Sequence, residues 1–261
     1  MKFKQHLKDL DQKFKKKNRI TAFDNIEVFD QGYSYTCVAN AISSALQVFL
    51  RNKHNYDVPS RTFIYSICKY NNYSRWDCNY DTVYTPGLED SNALQTCNKY
   101  VIPNEKTLPF PPLSLLNSGD GGALCSAIPD NLIIKPSNRT IKFREIPRGT
   151  NQIRQAIDAG HPVIIDILLY SSSLKADTDK NHLGFIPLPD FKKDQYWGGH
   201  ALVIIGYDDK TQLLKLRNSW GKNYGNHTGD YTISYHYIWS NTLDNSGYTA
   251  TTGLWEIIDY S

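Results

Sequence analysis

The chain has 261 residues, 40% of them apolar and 21% charged, with eighteen Tyr, five Trp and a net charge of +3. That length suits one large domain or two lobes sharing a cleft, with a core that needs neither metal nor dense disulfides, and the composition excludes extensive disorder. No run of about 18 apolar residues is present to span a membrane, and charges occupy MKFKQHLKDLDQKFKKK where a signal peptide would be apolar, so the expected setting is intracellular, or within a virion or host cell.

Charge is uneven along the chain. Residues 1–20 hold eight Lys or Arg against Asp9 and Asp11, a balance of +6, which leaves −3 for residues 21–261. A nucleic-acid protein would carry a basic face with interleaved aromatics throughout, so no nucleic-acid partner is expected. In the head itself, Phe3, Leu7, Leu10 and Phe14 form one apolar stripe and predict an amphipathic helix from about Lys2 to Lys17. Such a helix can dock on the body, cover a cleft as an inhibitory segment, or lie on a membrane surface.

Val38, Ala41, Ile42, Ala45, Leu46 and Phe49 recur at helical spacing and predict a long buried helix from near Thr36 to about Asn52. Further helices are expected around Ser60 to Tyr70 and Ser91 to Tyr100, followed by a long irregular connection between about Pro103 and Pro136, rich in Pro, Gly, Ser and Asn. After residue 140 the pattern changes. RGTNQIRQAIDAG reads as a helix ended by Gly160, and PVIIDILLY, ALVIIGY, TQLLKLRNS and DYTISYHYIW read as strands, the last with Tyr231, Ile233, Tyr235 and Tyr237 on one face. The expected organisation is an N-terminal segment over 1–29, a helical lobe over 30–140 and a mainly antiparallel β lobe over 141–261.

The five cysteines, Cys37, Cys68, Cys78, Cys97 and Cys125, are an odd number, and without a secretion signal the reduced state is expected. None stands at metal-ligand spacing from another and no His pair lies at i, i+4, so neither a metal nor a cofactor is expected. Cys37 falls in the first turn of the predicted helix, where unpaired N–H groups and the positive end of the dipole favour a thiolate. A thiol nucleophile needs a base. His200 follows Gly198 and Gly199 at the start of a strand. The turn signal DDK suggests a hairpin centred on Asp209, and symmetric pairing about it sets His200 directly opposite Asn218, within reach of a hydrogen bond that would orient the imidazole. A slip of one residue would break this pairing. Donors for a developing oxyanion are the Cys37 N–H and the Gln31 side chain, six residues upstream across a glycine-containing turn.

These blocks together resemble the papain-like cysteine peptidases. DQGYSYTCVANAIS is similar to the family's Gln-Gly-x-x-x-x-Cys segment, GGHALVIIGYDD to its His strand, and RNSWGKNYGNHTGDYTISY to its Asn-Ser-Trp-Gly segment, in the family's order. The resemblance spans roughly Asp30 to Tyr235, with His200 lying 163 residues after Cys37, beyond the family's usual ~130–150. It implies an α+β papain-like fold with a cleft between a helical and a β lobe. The implied roles are Cys37 as nucleophile, His200 as general base and then acid, Asn218 as orienter, Gln31 as oxyanion donor and Trp220 as an apolar shield. It also implies a peptide or protein substrate and a monomer.

Departures from the family carry expectations of their own. Ser34, Tyr35 and Thr36 stand where Cys-Gly-Ser is usual, so the family's lobe disulfide from that position cannot form, and Tyr35 narrows or gates the entrance beside the thiol. Val38, in place of a frequent aromatic, is similar to bacterial or viral branches. Residues 1–29 would serve as an abbreviated prosegment, or this form lacks a prosegment. Gly87 in TPGLEDSNAL lies where the family often pairs with substrate, although a plain turn reads equally well. Two alternatives stay open beside a peptidase: a non-catalytic peptide-binding homologue, and a transglutaminase- or amidase-like thiol acyl transfer enzyme.

Overall fold

The computed structural model describes residues 18–19, 23, 25–73, 88–116, 124, 128–134, 139–180, 183–239 and 250–261. The predicted helix over 2–17, Gly87, Cys78 and Cys125 lie outside the described residues. Helix α1 (Cys37–Asn52) is the organising element: every residue from Val38 to Arg51 is buried. A helix buried on all sides must satisfy its polar residues internally. Asn40 accordingly bonds Thr36 and Arg61, Ser43 donates to the Pro59 carbonyl at 2.7 Å, and Arg51 reaches Gln47 and the Asn55 carbonyl. Helices α2 (Arg61–Tyr73) and α3 (Asp90–Cys97) pack beside it. Among its described residues the long connection is mostly irregular, with short helical turns at α4 (Leu113–Leu116) and at Asp130–Leu132.

Past residue 140 the chain alternates strands and short helices: β2 (Ile141–Glu145), α5 (Thr150–Asp158), β3 (Val163–Tyr170), α6 (Lys175–Thr178), β4 (Phe185–Ile186), β5 (Tyr196–Asp208), β6 (Leu213–Arg217), β7 (Asp230–Ser234), α7 (His236–Trp239) and β8 (Thr251–Tyr260). These strands form one sheet in the order β2-β8-β3-β5-β6-β7-β4. All pairs are antiparallel except β4 with β7. Strand β3 reads as a nearly continuous apolar run because α1 and α5 both pack against it, with only Asp166, Leu168 and Leu169 partly exposed. A two-residue strand, β1 (Asn18–Arg19), pairs with Asp208 and Tyr207. This anchor lies eight residues along β5 from His200, about 26 Å at ~3.3 Å per residue.

Two sequence expectations need correction. The β5–β6 hairpin is not symmetric about Asp209: Val203 pairs with Arg217 and Ile204 with Leu216, and beyond a bulge Tyr207 pairs with Leu214. The chain spends residues Asp209 to Gln212 on the loop, with Gln212 in a left-handed conformation at φ 56°, so the tight turn at DDK does not form. Second, DYTISYHYIW is not one strand. β7 stops at Ser234, and Tyr237 reaches the core from the following helical turn, its hydroxyl donating to the Leu168 carbonyl at 3.1 Å. Strands β2 and β8 lie outside the segments that the sequence pattern predicts as strands.

Candidate active site

Cys37 is the first residue of α1, with Thr36 at the N-cap position. The loop before it is braced from within. Ser34 Oγ donates to the Gln31 carbonyl at 2.6 Å and lies 2.7 Å from Thr36 Oγ1, and Asn40 Nδ2 donates back to the Thr36 carbonyl at 2.9 Å. Asn40 is itself held by Arg61, which grips Glu105 through Nε and Nη2 and is sandwiched between the Phe29 and Phe110 rings at 4.1 and 3.9 Å. The orientation of the first turn of α1 is thus fixed from α2 and the irregular connection, by residues that no local motif announces.

The opposite wall comes from the β lobe. His200 and Asn218 meet at 2.7 Å, Nε2 to Oδ1, both buried. They do so despite the altered register. Extended to the end of β6, the observed pairing sets Trp220 opposite His200 and makes Asn218 its diagonal neighbour on the same face, because a two-residue shift preserves side-chain parity. Trp220 duly stacks on the imidazole at 4.8 Å and 23°, and its edge meets Tyr231 at 5.7 Å. Asn218 Oδ1 also accepts the Ser219 N–H at 2.7 Å. An atom that accepts from a backbone amide is the carbonyl oxygen, so the imidazole Nε2 carries the proton and Nδ1 holds the lone pair. Asn218 Nδ2 has no hydrogen bond of normal geometry among the described residues, although the Tyr231 hydroxyl, which donates to Asp177, lies close enough to be influenced by it.

The two walls are stitched together through Gln31. Its backbone N–H donates to the Ser219 carbonyl at 2.8 Å, Gly221 N–H donates to the Phe29 carbonyl at 2.8 Å, and Asp30 and Trp220 form an antiparallel bridge. Gly221 is required here: at φ +85° a Cβ would sit 2.6 Å from Asp30 Oδ2. The Gln31 side chain accepts Ser219 Oγ at 2.6 Å and donates one Nε2 hydrogen to the Ser34 carbonyl at 2.7 Å, which leaves its second Nε2 hydrogen. Ser219 was not singled out from sequence, yet it lies inside the Asn-Ser-Trp-Gly block and was accessible there. Tyr35 is 61% exposed.

Both reactive groups are held in neutral form. Burial pushes the Cys37 thiol up to about 11, opposed by the backbone N–H groups of Ala201 and Val38 and reinforced by Asp90 and Asp166. The helix start therefore does not outweigh desolvation. Burial likewise lowers His200 to about 4, with the Asn218 bond acting in the other direction. The Ala201 amide that acts on the Cys37 sulfur belongs to the residue after His200.

Comparisons with known proteins agree with this architecture. The Peptidase_C39-like family model matches residues 138–246, the part carrying His200 and Asn218. An uncharacterised peptidase C1-like protein of Acanthamoeba polyphaga mimivirus is 24% identical over 238 residues, covering 88% of this chain and 71% of the relative. Among solved structures, xylellain, a cysteine protease from Xylella fastidiosa, superposes with a TM-score of 0.73 at 24% identity over 93% of this chain and 86% of that one. Procathepsin B S9 from Trypanosoma congolense gives a TM-score of 0.60 at 14% identity, covering 94% and 79%. In fold the chain is thus similar to the papain-like cysteine peptidases, and the partial family-model match falls on the same His200–Asn218 region.

Proposed function

We propose that the protein hydrolyses peptide bonds through a thioester on Cys37. The observation that carries this reading is the buried His200–Asn218 hydrogen bond of 2.7 Å, covered by Trp220 and one residue from the amide that meets the Cys37 sulfur. As the thiol attacks a substrate carbonyl, its proton passes to the free Nδ1 of His200. The oxyanion is received by the Cys37 N–H and the second Nε2 hydrogen of Gln31. The imidazolium then protonates the leaving amine, and neutral His200 draws a proton from water to hydrolyse the thioester.

A thiol-directed epoxide or iodoacetamide probe, read by intact mass, together with hydrolysis of a fluorogenic peptide, tests the proposal. One adduct and measurable turnover are expected, both lost in Cys37→Ser. Absence of any adduct that depends on Cys37 would favour the non-catalytic binding protein. Residues 1–29 are proposed as an abbreviated prosegment. A chain beginning at Phe23 should then hydrolyse peptide faster than the full chain, and equal rates would remove that idea.

A further inference from the structure

Beside the thiol lies a pair of carboxyl groups that the reaction above does not use. Asp166 sits on β3 directly opposite Ala201 and, on its other side, opposite Gly253 of β8. Asp90 is the first residue of α3 and is 2% exposed. The two side chains hydrogen-bond to each other, one from each lobe, and both act on Cys37. Neighbouring residues on a strand point to opposite faces. Asp166 shares its face with Ala201 and not with His200, so the pair flanks the thiol on the side away from the imidazole.

The pair is short of donors and of positive charge. Asp90 Oδ1 is buried and has no hydrogen-bond partner among the described residues. Asp166 receives the Trp255 indole N–H, for which Gly253 leaves the room: a Cβ there would lie 2.7 Å from Asp166 Oδ2 and 2.9 Å from Trp255 Nε1. The next carboxylate, Glu89, adds more negative charge at an exposed position, where Ser91 and Asn92 donate to it at 2.8 and 2.6 Å. Burial raises both groups; contact with Asp166 raises Asp90 further, whereas Asp166 is drawn down by the bonds from Asp90 and Trp255 and pushed up by Glu89, so the pair holds a proton, mainly on Asp90. Asp166 is only partly buried, which leaves a way in.

The geometry points to a cation subsite: Asp166 and Asp90, with Glu89 at the rim, receive the guanidinium or ammonium group of a basic side chain on a peptide lying across Cys37. This rests on the cleft being a peptide site. A guanidinium supplies the donors that Asp90 Oδ1 lacks and lets the shared proton leave, so binding of a basic residue is coupled to proton release. An apolar side chain of equal length leaves the pair as it was and gains neither.

Short quenched peptides carrying Arg, Lys, norleucine or Glu at each position in turn test this in the full chain. At one position Arg and Lys are expected to exceed norleucine in kcat/KM by about 10- to 100-fold, the range of one charge-assisted hydrogen bond. In Asp166→Asn and in Glu89→Gln that ratio should shrink, more in the former. The Asn amide offers Asp90 a donor, so Asp166→Asn should melt no lower than the parent, which separates a specificity change from misfolding. Calorimetry on Cys37→Ala with an Arg peptide and its norleucine counterpart gives the same comparison without turnover. Equal affinities there, or a ratio near one at every position of an active enzyme, overturn the cation subsite while leaving the peptidase reading standing. Tighter Arg binding without turnover in the parent would retain the subsite and remove the peptidase.

Discussion

Replacing Asn218 by Ala removes the one acceptor shared by His200 Nε2 and the Ser219 N–H, bonds of 2.7 Å each. Both donors are buried, at 6% and 5% exposure. An unpaired buried donor costs about 1–3 kcal/mol, so a loss of about 2–5 kcal/mol in stability is expected. The kinetic effect has a different origin. Without the amide oxygen the imidazole loses its fixed tautomer and the contact that favours its charged form, and part of the ~10²–10⁴-fold from general acid–base catalysis goes with it. We expect kcat/KM to fall about 10- to 100-fold. Asn218→Asp distinguishes orientation from mere packing: a carboxylate keeps both accepted bonds, forfeits only an Nδ2 that makes no normal hydrogen bond among the described residues, and raises the His200 pKa. Its acid limb should move to higher pH. The assay is kcat/KM against pH on a fluorogenic peptide, with thermal melts alongside. Wild-type kcat/KM and an unmoved pH profile in Asn218→Ala would refute the assignment of His200 as an oriented base.

If Cys37 and His200 share one mobile proton as proposed, kcat/KM should form a broad plateau, falling in acid as His200 gains a second proton near about 4 and in alkali as Cys37 loses the last near about 11; a limb at the ordinary histidine value would contradict the desolvated site. The His200 pKa is lowered on folding from 6.5, so the unfolded chain binds the proton first as pH falls, and stability should drop by about 3 kcal/mol between pH 6.5 and about 4. Urea melts of the parent against His200→Gln check this, and an equal acid slope in both would contradict it. Trp220→Ala removes the ring stacked 4.8 Å from His200 and should admit water, moving the acid limb upward and costing about 2–4 kcal/mol, read from the same profiles and melts. Ser219→Ala frees Gln31 Oε1 from its 2.6 Å bond, and should lower kcat several-fold with little change in KM if Gln31 serves the oxyanion; an unchanged kcat would count against that role.

Elements with strong local periodicity were legible in the sequence. Helix α1 and strands β3 and β5 announce themselves because their apolar patterns match one burial each. Strand β8 does not: its burial is not a clean alternation, since it lies inside the sheet between β2 and β3. DYTISYHYIW misled for the opposite reason. Tyr235 and Tyr237 continue the two-residue spacing of Tyr231 and Ile233, but Tyr237 satisfies its burial from a helical turn after the strand has ended. Periodicity records which residues are buried, and two backbone geometries can bury the same tyrosine.

The candidate site divides along the same line. Cys37, His200, Asn218 and Gln31 were readable because each lies in a compact block, and the register error left His200 and Asn218 on one face because it was even. An odd slip would have separated them, so the agreement owes something to parity. Nothing local marks Asn40, Arg61 and Glu105, which brace the start of α1, or Asp90 and Asp166, which meet across the lobes. The electrostatics were the least accessible of all. A helix N-terminus suggests a lowered thiol, yet its partial charge acts against desolvation of a half-buried group, and desolvation is the larger effect on Cys37. What the sequence supplies is therefore the identity of the two candidate proton holders. Where the proton rests is decided by how tightly the lobes close over them.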